Sequence, residues 1–462
     1  MCGIVGISQH SEAANLAYLC LHALQHRGQE SAGIVVADGQ RLREQKGMGL
    51  VTDIFSREVL ARLSGAVAIG HTRYSTTGSS VLQNAQPFVI NYAGGCLSVA
   101  HNGNLTNAGV LRTQLESHGS IFQSTMDSEV VMHLIAAQPH QTPLPERITS
   151  ALQQVEGSYA FLFCSPTQLI AARDPHGWRP LVLGKLGDTW VLASETCALD
   201  LVEATYVRDV EPGELIVIDG NGLQSRRVGT ASRRAQCIFE YIYFARPDSH
   251  IYGRDVYQMR VRFGEVLAQE QPADVDVVCP VPDSGTPAAI GYAQVSGAPF
   301  QLGLIRSHYV GRTFIEPEQS IRNFGVKLKL NPVREVLAGK RVALIDDSIM
   351  RGTTSAKIVR MVRAAGAKEV HLRISAPPTR WPCFYGIDIP TREELIAAQK
   401  SIEEIRAFVG ADSLGYLSEE GLFQFDKRDH QEWFCDACFT GKYPVAVKDH
   451  PAIMQLAAAA QP

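Results

Sequence analysis

Cys2 is the first residue whose type and position suit chemistry. If Met1 is removed, Cys2 carries a thiol and a free α-amine on one residue. Such an amine has an ordinary pKa of about 7.7–8.0, so it can act as the base for its own side chain. A cysteine more often serves as a small buried hydrophobe. Position alone therefore indicates nucleophilic catalysis only weakly, and other residues must support it.

A second chemical feature follows an apolar run in the second half. The sequence VALIDDSIMRGTTS (342–355) places Asp346 and Asp347 at the end of a predicted strand, before a loop of small residues. Backbone N–H groups of such a loop, and of the helix that it opens, can bind a phosphate. The paired acids can accept hydrogen bonds from a ribose diol. No GxxxxGK motif is present, so this is not an ordinary nucleotide P-loop. An acidic strand end followed by a helix N-cap is the structural alternative.

The cysteines form the third feature. Cys435 and Cys438 make a C-x-x-C pair, and Cys237 and Cys383 lie far from it in sequence. In a reducing compartment, cysteines bind metals or catalyse reactions instead of forming disulfides. Four cysteines suit zinc and an iron–sulfur cluster about equally. Five further cysteines lie in apolar runs and are predicted to be core residues: Cys20, Cys96, Cys164, Cys197 and Cys279.

Composition limits the class of protein that positions these residues. The chain has 462 residues, of which 45% are hydrophobic and 19% charged, and this predicts two globular domains. The formal net charge is only −4, which argues against nucleic-acid binding. The sequence contains no apolar run of membrane-spanning length and no secretory signal pattern, so we predict a cytoplasmic location without membrane attachment.

Periodicity predicts how the two halves differ. The first half alternates short apolar runs with turns and contains helical patterns over 13–25 and 127–137. After the polar stretch 226–234, strand–loop–helix units predict a parallel sheet with helices on both faces. The predicted domains are 2–230, 235–390 and a helical tail at 391–462 that carries two of the cysteines.

Five motifs of the first half resemble those of glutamine amidotransferases of the N-terminal-nucleophile class: CGIVGI (2–7), QHRGQESAG (25–33), GHTRYSTTG (70–78), HNGNL (101–105) and DSEV (127–130). The resemblance implies a four-layer αββα sandwich with Cys2 as the nucleophile. It implies that Asn102 and Gly103 form the oxyanion hole, that Arg73 binds the glutamine α-carboxylate and that Asp127 binds the α-ammonium. Taken singly, Arg73 and Asp127 could be surface charges, and Asn102–Gly103 could be a hairpin turn.

The loop at 342–355 resembles the binding signature of type I phosphoribosyltransferases, and VPDSGTP (281–287) resembles their pyrophosphate loop. The resemblance implies one Mg²⁺ per subunit at Ser284, Asp346 and Asp347. The segment 306–334 holds six basic residues against two acids and is predicted to be a flap over the pyrophosphate, rather than a solvated loop, with Arg312 and Lys327 as candidates. The implied phosphoribosyl pyrophosphate (PRPP) site comprises Asp346, Asp347, Ser348, Arg351, Gly352, Thr353, Thr354, Ser355 and Lys327.

The fusion of these halves resembles the amidophosphoribosyltransferase family, which makes 5-phosphoribosylamine, glutamate and pyrophosphate from glutamine and PRPP in purine synthesis. The sequences around four cysteines resemble its iron–sulfur branch, which implies one structural 4Fe–4S cluster per subunit at Cys237, Cys383, Cys435 and Cys438. The resemblance also implies a homotetramer inhibited by purine nucleotides. Relatives often have Lys at the position of Arg306, in a region tied to that inhibition. Removal of Met1 is expected to suffice for maturation, and ammonia is expected to pass internally between the sites.

Two alternatives make different predictions. Another glutamine-dependent enzyme, such as an aminosugar or asparagine synthase, would have no use for the motif at 346–355. A regulator that senses ligands with a phosphoribosyltransferase fold would not need Cys2, Arg73, Asn102 and Asp127 together, and the sequence has no helix-turn-helix signal. An assay with PRPP separates these possibilities.

Overall fold

The computed structural model describes residues 1–74, 80–231, 233–307, 330–389, 391–425 and 433–447. Residues up to Arg227 build two antiparallel sheets with flanking helices, and later residues build a smaller parallel sheet. No helix within the described ranges is long and apolar enough to cross a membrane.

Two antiparallel sheets stack in the first half. The seven-stranded sheet contains, in spatial order, Thr205–Asp209, Val182–Leu186, Thr189–Ala193, Gly3–Ile7, Val67–Arg73, Ser31–Ala37 and Leu42–Met48. The six-stranded sheet contains Gly222–Arg227, Glu214–Asp219, Leu169–Arg173, Gly157–Cys164, Gly95–Leu105 and Phe88–Tyr92. Alternate residues of a strand face opposite sides. Ile4 therefore packs between the sheets, whereas Val5 and Ile7 pack against helices.

Helices cover the outer face of each sheet. Four of them pack on the seven-stranded sheet: Ala13–Ala23, Val51–Ile54, Arg57–Arg62 and Thr196–Leu201. Three pack on the six-stranded sheet: Ala108–Ser117, Ser128–Ala136 and Leu144–Leu152. This arrangement confirms the predicted αββα sandwich. It also explains the continuous apolar runs of the central strands, which are buried on both faces.

The second half is built on a four-stranded parallel sheet. Its strands are, in spatial order, Val277–Pro280, Arg341–Asp346, Glu369–Ile374 and Ser413–Tyr416. Helices Val256–Glu270 and Thr286–Ser296 pack on one face, and Thr353–Ala364 and Ile402–Val409 on the other. The predicted parallel sheet with helices on both faces is confirmed.

Shorter elements complete the second half and the links between the halves. Three strand pairs are present in the described residues: Leu304–Arg306 with Leu330–Pro332, His250–Ile251 with Arg254–Asp255, and Gln236–Cys237 with Phe434–Cys435. The short helices are Gln25–Arg27, Leu82–Asn84, Arg334–Leu337, Ile396–Gln399, Glu419–Leu422 and Ala437–Thr440, and Glu240–Phe244 is a π-helix.

The strand Ser413–Tyr416 lies in the stretch after 391 for which the sequence predicted helices. Four residues are too few to show a twofold period, so only pairing with Glu369–Ile374 defines this strand. The expectation of a purely helical tail is therefore wrong at this point. The domain bounds 2–230, 235–390 and 391–462 stay a prediction.

Candidate functional site

Cys2 stands just before the central strand Gly3–Ile7 of the seven-stranded sheet. Its thiol donates to the carbonyl oxygen of Tyr74 at 3.7 Å, and its backbone N–H donates to Oδ1 of Asn102 at 3.2 Å. Arg27 Nε donates to the Cys2 carbonyl oxygen at 2.9 Å. The half-buried thiol is thus fixed by contacts from three separate motifs of the sequence.

Glycine at position 3 allows this placement. A Cβ atom there would lie 2.8 Å from Thr72 Oγ1 and 2.9 Å from Leu24 Cβ, closer than van der Waals contact permits. Met1, which precedes Cys2, is 1% exposed, and the Arg179 guanidinium donates to its sulfur at 2.8 Å. Burial lowers the pKa of the Met1 amine to about 6.

Asn102 and Gly103 lie inside the strand Gly95–Leu105, opposite Ala160 and Tyr159. The alternative that they form a hairpin turn is therefore wrong. Asn102 is fully buried, and its Nδ2 has no hydrogen-bond partner in the described part of the chain. Because the Cys2 N–H needs an acceptor, Oδ1 faces Cys2 and Nδ2 is left as a buried donor.

Arg73 and Asp127 are both held by the fold and are not free surface charges. Arg73 ends the strand Val67–Arg73, is 3% exposed, and its Nη1 lies 3.7 Å from Glu30 Oε2. Gly28 packs on the Arg73 backbone so closely that a Cβ would lie 2.5 Å from the Arg73 carbonyl carbon. This contact explains the glycine of the QHRGQES motif.

Asp127 caps the helix Ser128–Ala136 and links it to the strand of Asn102. Its carboxylate accepts from the N–H groups of Ser128 at 2.8 Å and Leu105 at 2.9 Å, and it lies 3.3 Å from His101 Nδ1. Burial alone would raise the pKa of Asp127, but His101 and the two N–H donors outweigh it and hold the pKa below its ordinary value. Asp127 is therefore placed to carry a negative charge.

A buried ionic network around Cys2 was not predicted from the sequence. Arg27 donates to Glu195 and, at 2.8 Å and 3.1 Å, to the two carboxylate oxygens of Glu240, and all three side chains are fully buried. Arg179 Nη1 lies 3.4 Å from Glu240, and His26 Nε2 lies 2.8 Å from Glu195. Arg27 lies in the QHRGQES motif and Glu240 in the stretch around Cys237 that resembles the iron–sulfur branch, whereas Glu195 lies outside every motif.

Several residues of the predicted phosphate site lie where the strand Arg341–Asp346 ends. Asp347 accepts from the hydroxyl groups of Ser284 and Ser348, each at 2.5 Å. Burial and the neighbouring Asp347 raise the pKa of Asp346 well above its ordinary value. Burial also raises the pKa of Asp347, although the two serine hydroxyls oppose this. The structure thus brings Ser284, from a distant loop, to the predicted Asp pair.

The helix Thr353–Ala364 begins directly after this loop. Gly352 adopts φ +75°, a left-handed conformation that favours glycine, and so turns the chain into the helix. Thr353 and Thr354 are exposed and Ser355 is buried. Arg351 pairs with Glu394 at 2.9 Å on the surface. Lys327 and Arg312, the flap candidates, lie outside the described residues, and Arg306 at the flap's start pairs with Asp283.

A cavity of about 430 Å³ lies between the two halves. From the first half it is lined by His26, Arg27 and Tyr74, and from the second by 346–355 and by Phe239, Tyr243, Phe244, Val281, Ser284, Ile358, Ile387, Asp388 and Ile389. A neighbouring cavity of about 640 Å³ shares Ser284 and Thr354. The first cavity is thus lined both by Tyr74, the residue that the Cys2 thiol contacts, and by the Asp346–Asp347 pair.

The four predicted cluster cysteines converge from three chain segments. Cys237 and Cys435 are partners in the parallel strand pair, and Cys383 Sγ accepts from the Tyr385 N–H at 3.4 Å. Burial, followed by the nearby Cys237, Cys383 and Cys435, raises the pKa of Cys438 well above its ordinary value. Within the described ranges, no three or more His, Cys, Asp or Glu side chains are arranged to hold a metal ion.

Comparisons with known proteins agree with this geometry. A glutamine amidotransferase domain family matches residues 71–201. Amidophosphoribosyltransferase 1, chloroplastic, of Arabidopsis thaliana is 55% identical over 446 residues, which are 96% of this chain and 78% of the relative. Amidophosphoribosyltransferase of Bacillus subtilis is 52% identical over 450 residues, 96% of this chain and 94% of the relative.

A solved structure of glutamine PRPP amidotransferase from B. subtilis, complexed with ADP and GMP, superimposes with a TM-score of 0.92 at 51% identity. The match covers 97% of this chain and 98% of that one. A nearly full-length match at this identity extends to both halves of the chain. The chain therefore belongs to the amidophosphoribosyltransferase family of purine biosynthesis.

Proposed function

We propose that this amidophosphoribosyltransferase hydrolyses glutamine at Cys2 and uses the ammonia at a PRPP site formed by 346–355. The observation that carries the proposal is the shared cavity, which is lined by Tyr74 on one side and by Asp346 and Asp347 on the other. Ammonia released into bulk water would be diluted and protonated. Passage through the cavity that both halves line would reduce both losses.

The glutaminase step follows from the contacts of Cys2. With Met1 removed, the Cys2 amine takes the thiol proton, and the sulfur attacks the glutamine amide carbon. The charge that develops on the amide oxygen is stabilised by Asn102 Nδ2 and the Gly103 N–H. Collapse of the adduct expels ammonia with the transferred proton and leaves a thioester. Water then hydrolyses the thioester to glutamate and restores the thiol. Arg73 and Asp127 hold the α-carboxylate and α-ammonium groups of the substrate.

The synthetic step takes place at the other end of the cavity. Hydroxyl and carboxylate oxygens are the donors that Mg²⁺ prefers, and Ser284, Asp346 and Asp347 supply this set. Buried acids with raised pKa values favour a cation beside them, which supports the assignment of one Mg²⁺ per subunit to this place. Bound Mg²⁺ would neutralise charge on the leaving pyrophosphate. The chain's own groups orient the ribose and phosphate while ammonia displaces pyrophosphate at C1.

We further propose one 4Fe–4S cluster per subunit at Cys237, Cys383, Cys435 and Cys438. Arg179 is a fully buried cation; burial lowers its pKa, but Cys237, Glu240 and Cys383 outweigh this and raise it overall. A buried cation beside two cysteines suits an anionic metal–thiolate centre. Zinc would need all ligands within about 2.3 Å of one ion, and the described cysteines lack that arrangement. A cluster distributes its thiolates over separate iron atoms.

We also propose partners and a location for the protein. The B. subtilis structure contains ADP and GMP, which supports purine nucleotides as feedback inhibitors here, and a homotetramer is the expected assembly. None of the ten cysteines forms a disulfide, which suits a reducing compartment such as the cytoplasm. Several plant relatives are named chloroplastic, so location varies among them.

Anaerobic purification followed by assay of both half-reactions tests the proposal. Glutaminase activity, and 5-phosphoribosylamine synthesis from glutamine and from ammonium, are measured on one preparation. Iron and sulfide analysis should give about four irons per chain, and air should bleach the protein. Zinc in place of iron, or full activity without metal, would end the cluster assignment. Synthesis from ammonium but not from glutamine, with Cys2 intact and Met1 removed, would contradict the proposed division of labour.

A further inference from the structure

A segment of the second half packs directly on the strand that carries Asn102 and Gly103. This segment, residues 384–386, follows Cys383 in sequence. The Asn104 side chain donates from Nδ2 to the carbonyl oxygen of Phe384 at 2.9 Å. The Ser158 hydroxyl donates to the carbonyl oxygen of Tyr385 at 2.7 Å and accepts from the Asn104 N–H at 3.1 Å. Two adjacent carbonyl groups of the 384–386 segment are thus bound to the glutaminase half.

The contact extends to Gly103 itself. Gly386 has φ +93°, and a Cβ there would lie 2.9 Å from the Gly103 carbonyl carbon and 3.2 Å from its Cα. A Cβ on Gly103 itself would lie 2.1 Å from the Ser158 carbonyl oxygen of the neighbouring strand. The Gly103 backbone is therefore enclosed between Gly386 and the neighbouring strand, and neither side has space for one more carbon atom.

The 384–386 segment is itself held rigidly in place. Arg179 Nε donates to the Tyr385 carbonyl oxygen at 3.0 Å, and the Tyr385 hydroxyl donates to the Val445 carbonyl oxygen at 2.6 Å. The Tyr385 ring stacks on Trp178 with the ring centroids 4.5 Å apart. Tyr385 is 1% exposed. A segment with these contacts can resist displacement of the Gly103 backbone that packs against it.

We propose that the 384–386 segment is a positioning element for glutamine hydrolysis: it fixes the backbone of Gly103 so that its N–H points at the developing oxyanion. The proposal rests on the oxyanion-hole role proposed for Asn102 and Gly103. Gly386 and Asn104 are positioning residues, because they act through Gly103 and do not touch the substrate. Glutamine hydrolysis therefore depends on the packing of the second half against the strand of Gly103. Synthesis from free ammonia does not need this contact.

Substitution Gly386→Ala tests the contact. The added methyl group must displace either the 384–386 segment or Gly103, and a displacement near 1 Å in a catalytic geometry costs about 10²-fold in rate. We expect the glutaminase kcat to fall about 10- to 100-fold with little change in KM for glutamine. Synthesis from ammonium and iron content should stay at the parent level. Gly410→Ala is the matched control, since Gly410 has φ +77° with nothing within 4 Å of its Cβ position.

A second readout separates positioning from general damage. Alkylation of Cys2 by iodoacetamide should keep its parent rate in Gly386→Ala, because the nucleophile is not moved. Binding of an aldehyde analogue of glutamine, which forms a tetrahedral adduct with the thiol, should weaken by the same factor as kcat. If alkylation and ammonium-dependent synthesis fall together with kcat, or if kcat is unchanged, the proposal is overturned.

Asn104→Ala keeps the test decisive if Gly386→Ala does not fold. It removes one hydrogen bond to the Phe384 carbonyl group and adds no atom. We expect a smaller fall in glutaminase kcat with the same selective pattern, and a parent-like kcat would count against the proposal. Asn102→Ala separates the oxyanion role of Asn102 from the positioning role of the 384–386 segment. If Asn102→Ala leaves glutamine hydrolysis intact, the oxyanion assignment fails. If only Asn102→Ala impairs hydrolysis, and Gly386→Ala and Asn104→Ala do not, only the positioning role is overturned.

Discussion

Asn102 offers the sharpest test of the glutaminase site, because its two side-chain atoms have separate tasks. Oδ1 accepts from the Cys2 N–H at 3.2 Å, and Nδ2 is a buried donor without a partner in the described residues. Asn102→Ala removes both atoms. Asn102→Asp keeps an acceptor for the Cys2 N–H but replaces the donor by an oxygen that repels the developing oxyanion.

The expected magnitudes follow from these contacts. Removing one oxyanion donor lowers kcat by about 10²–10³-fold, or about 2.7–4 kcal/mol. We expect a loss of this size for Asn102→Ala and a larger loss of kcat for Asn102→Asp. Stability should respond differently. Loss of the Cys2 hydrogen bond costs about 0.5–1.5 kcal/mol, whereas deletion of an unsatisfied buried donor returns about 1–3 kcal/mol. These opposing contributions, together with the small cavity left by alanine, should keep the thermal midpoint near that of the parent.

The assay measures glutamate release at saturating glutamine, with synthesis from ammonium followed in parallel. A large loss of glutaminase kcat, unchanged ammonium-dependent synthesis and an unchanged thermal midpoint are expected together. A loss smaller than about fivefold would be too small for an oxyanion donor and would refute the assignment. An equal loss with both nitrogen sources would show that the substitution acts through the fold.

Three further perturbations test other parts of the molecule. Cys2→Ala should lower glutamine-dependent synthesis by about a thousandfold or more and spare synthesis from ammonium; loss of both in a folded variant contradicts separate sites. Asp347→Asn should abolish synthesis from either nitrogen source and leave a basal glutaminase activity. It should also raise the thermal midpoint of the Mg²⁺-free protein, because burial disfavours the Asp347 carboxylate. A parent-like apparent affinity for PRPP in this variant would show that Asp347 does not belong to the PRPP site. Glu240→Ala leaves the buried Arg27 with one carboxylate fewer and should lower the free energy of unfolding by about 3–5 kcal/mol. Glu240→Gln should lower it less. Equal stability of the parent and both variants would argue against a structural role for the network.

Much of the fold and of the site could be predicted where the residues that form a feature follow one another in sequence. The motif at 342–355 is a local unit, in which an apolar strand, an acidic end and a small-residue loop follow one another, so its place at the end of Arg341–Asp346 was predictable. The short strands of the first half and the alternation of strand and helix in the second half were equally local, whereas the αββα sandwich was implied by the family resemblance. The strand Ser413–Tyr416 was not, because four residues carry no period.

Only the tertiary structure decided which residues far apart in sequence are in contact. The sequence by itself determined which residues could act as nucleophile, oxyanion donor and acid pair, since these roles depend on residue type within short motifs. It did not determine that Glu195 and Glu240 enclose Arg27, or that Gly386 packs on Gly103. Glu195 belongs to no motif, and the stretches around Cys237 and Cys383 that contain Glu240 and Gly386 resemble the iron–sulfur branch without indicating these contacts. The importance of all three residues arises only when burial removes water and leaves a charge or a backbone group dependent on one partner. Only the packed fold forms the cavity shared by the two halves and the contact of the 384–386 segment with Gly103, because each needs residues from both halves.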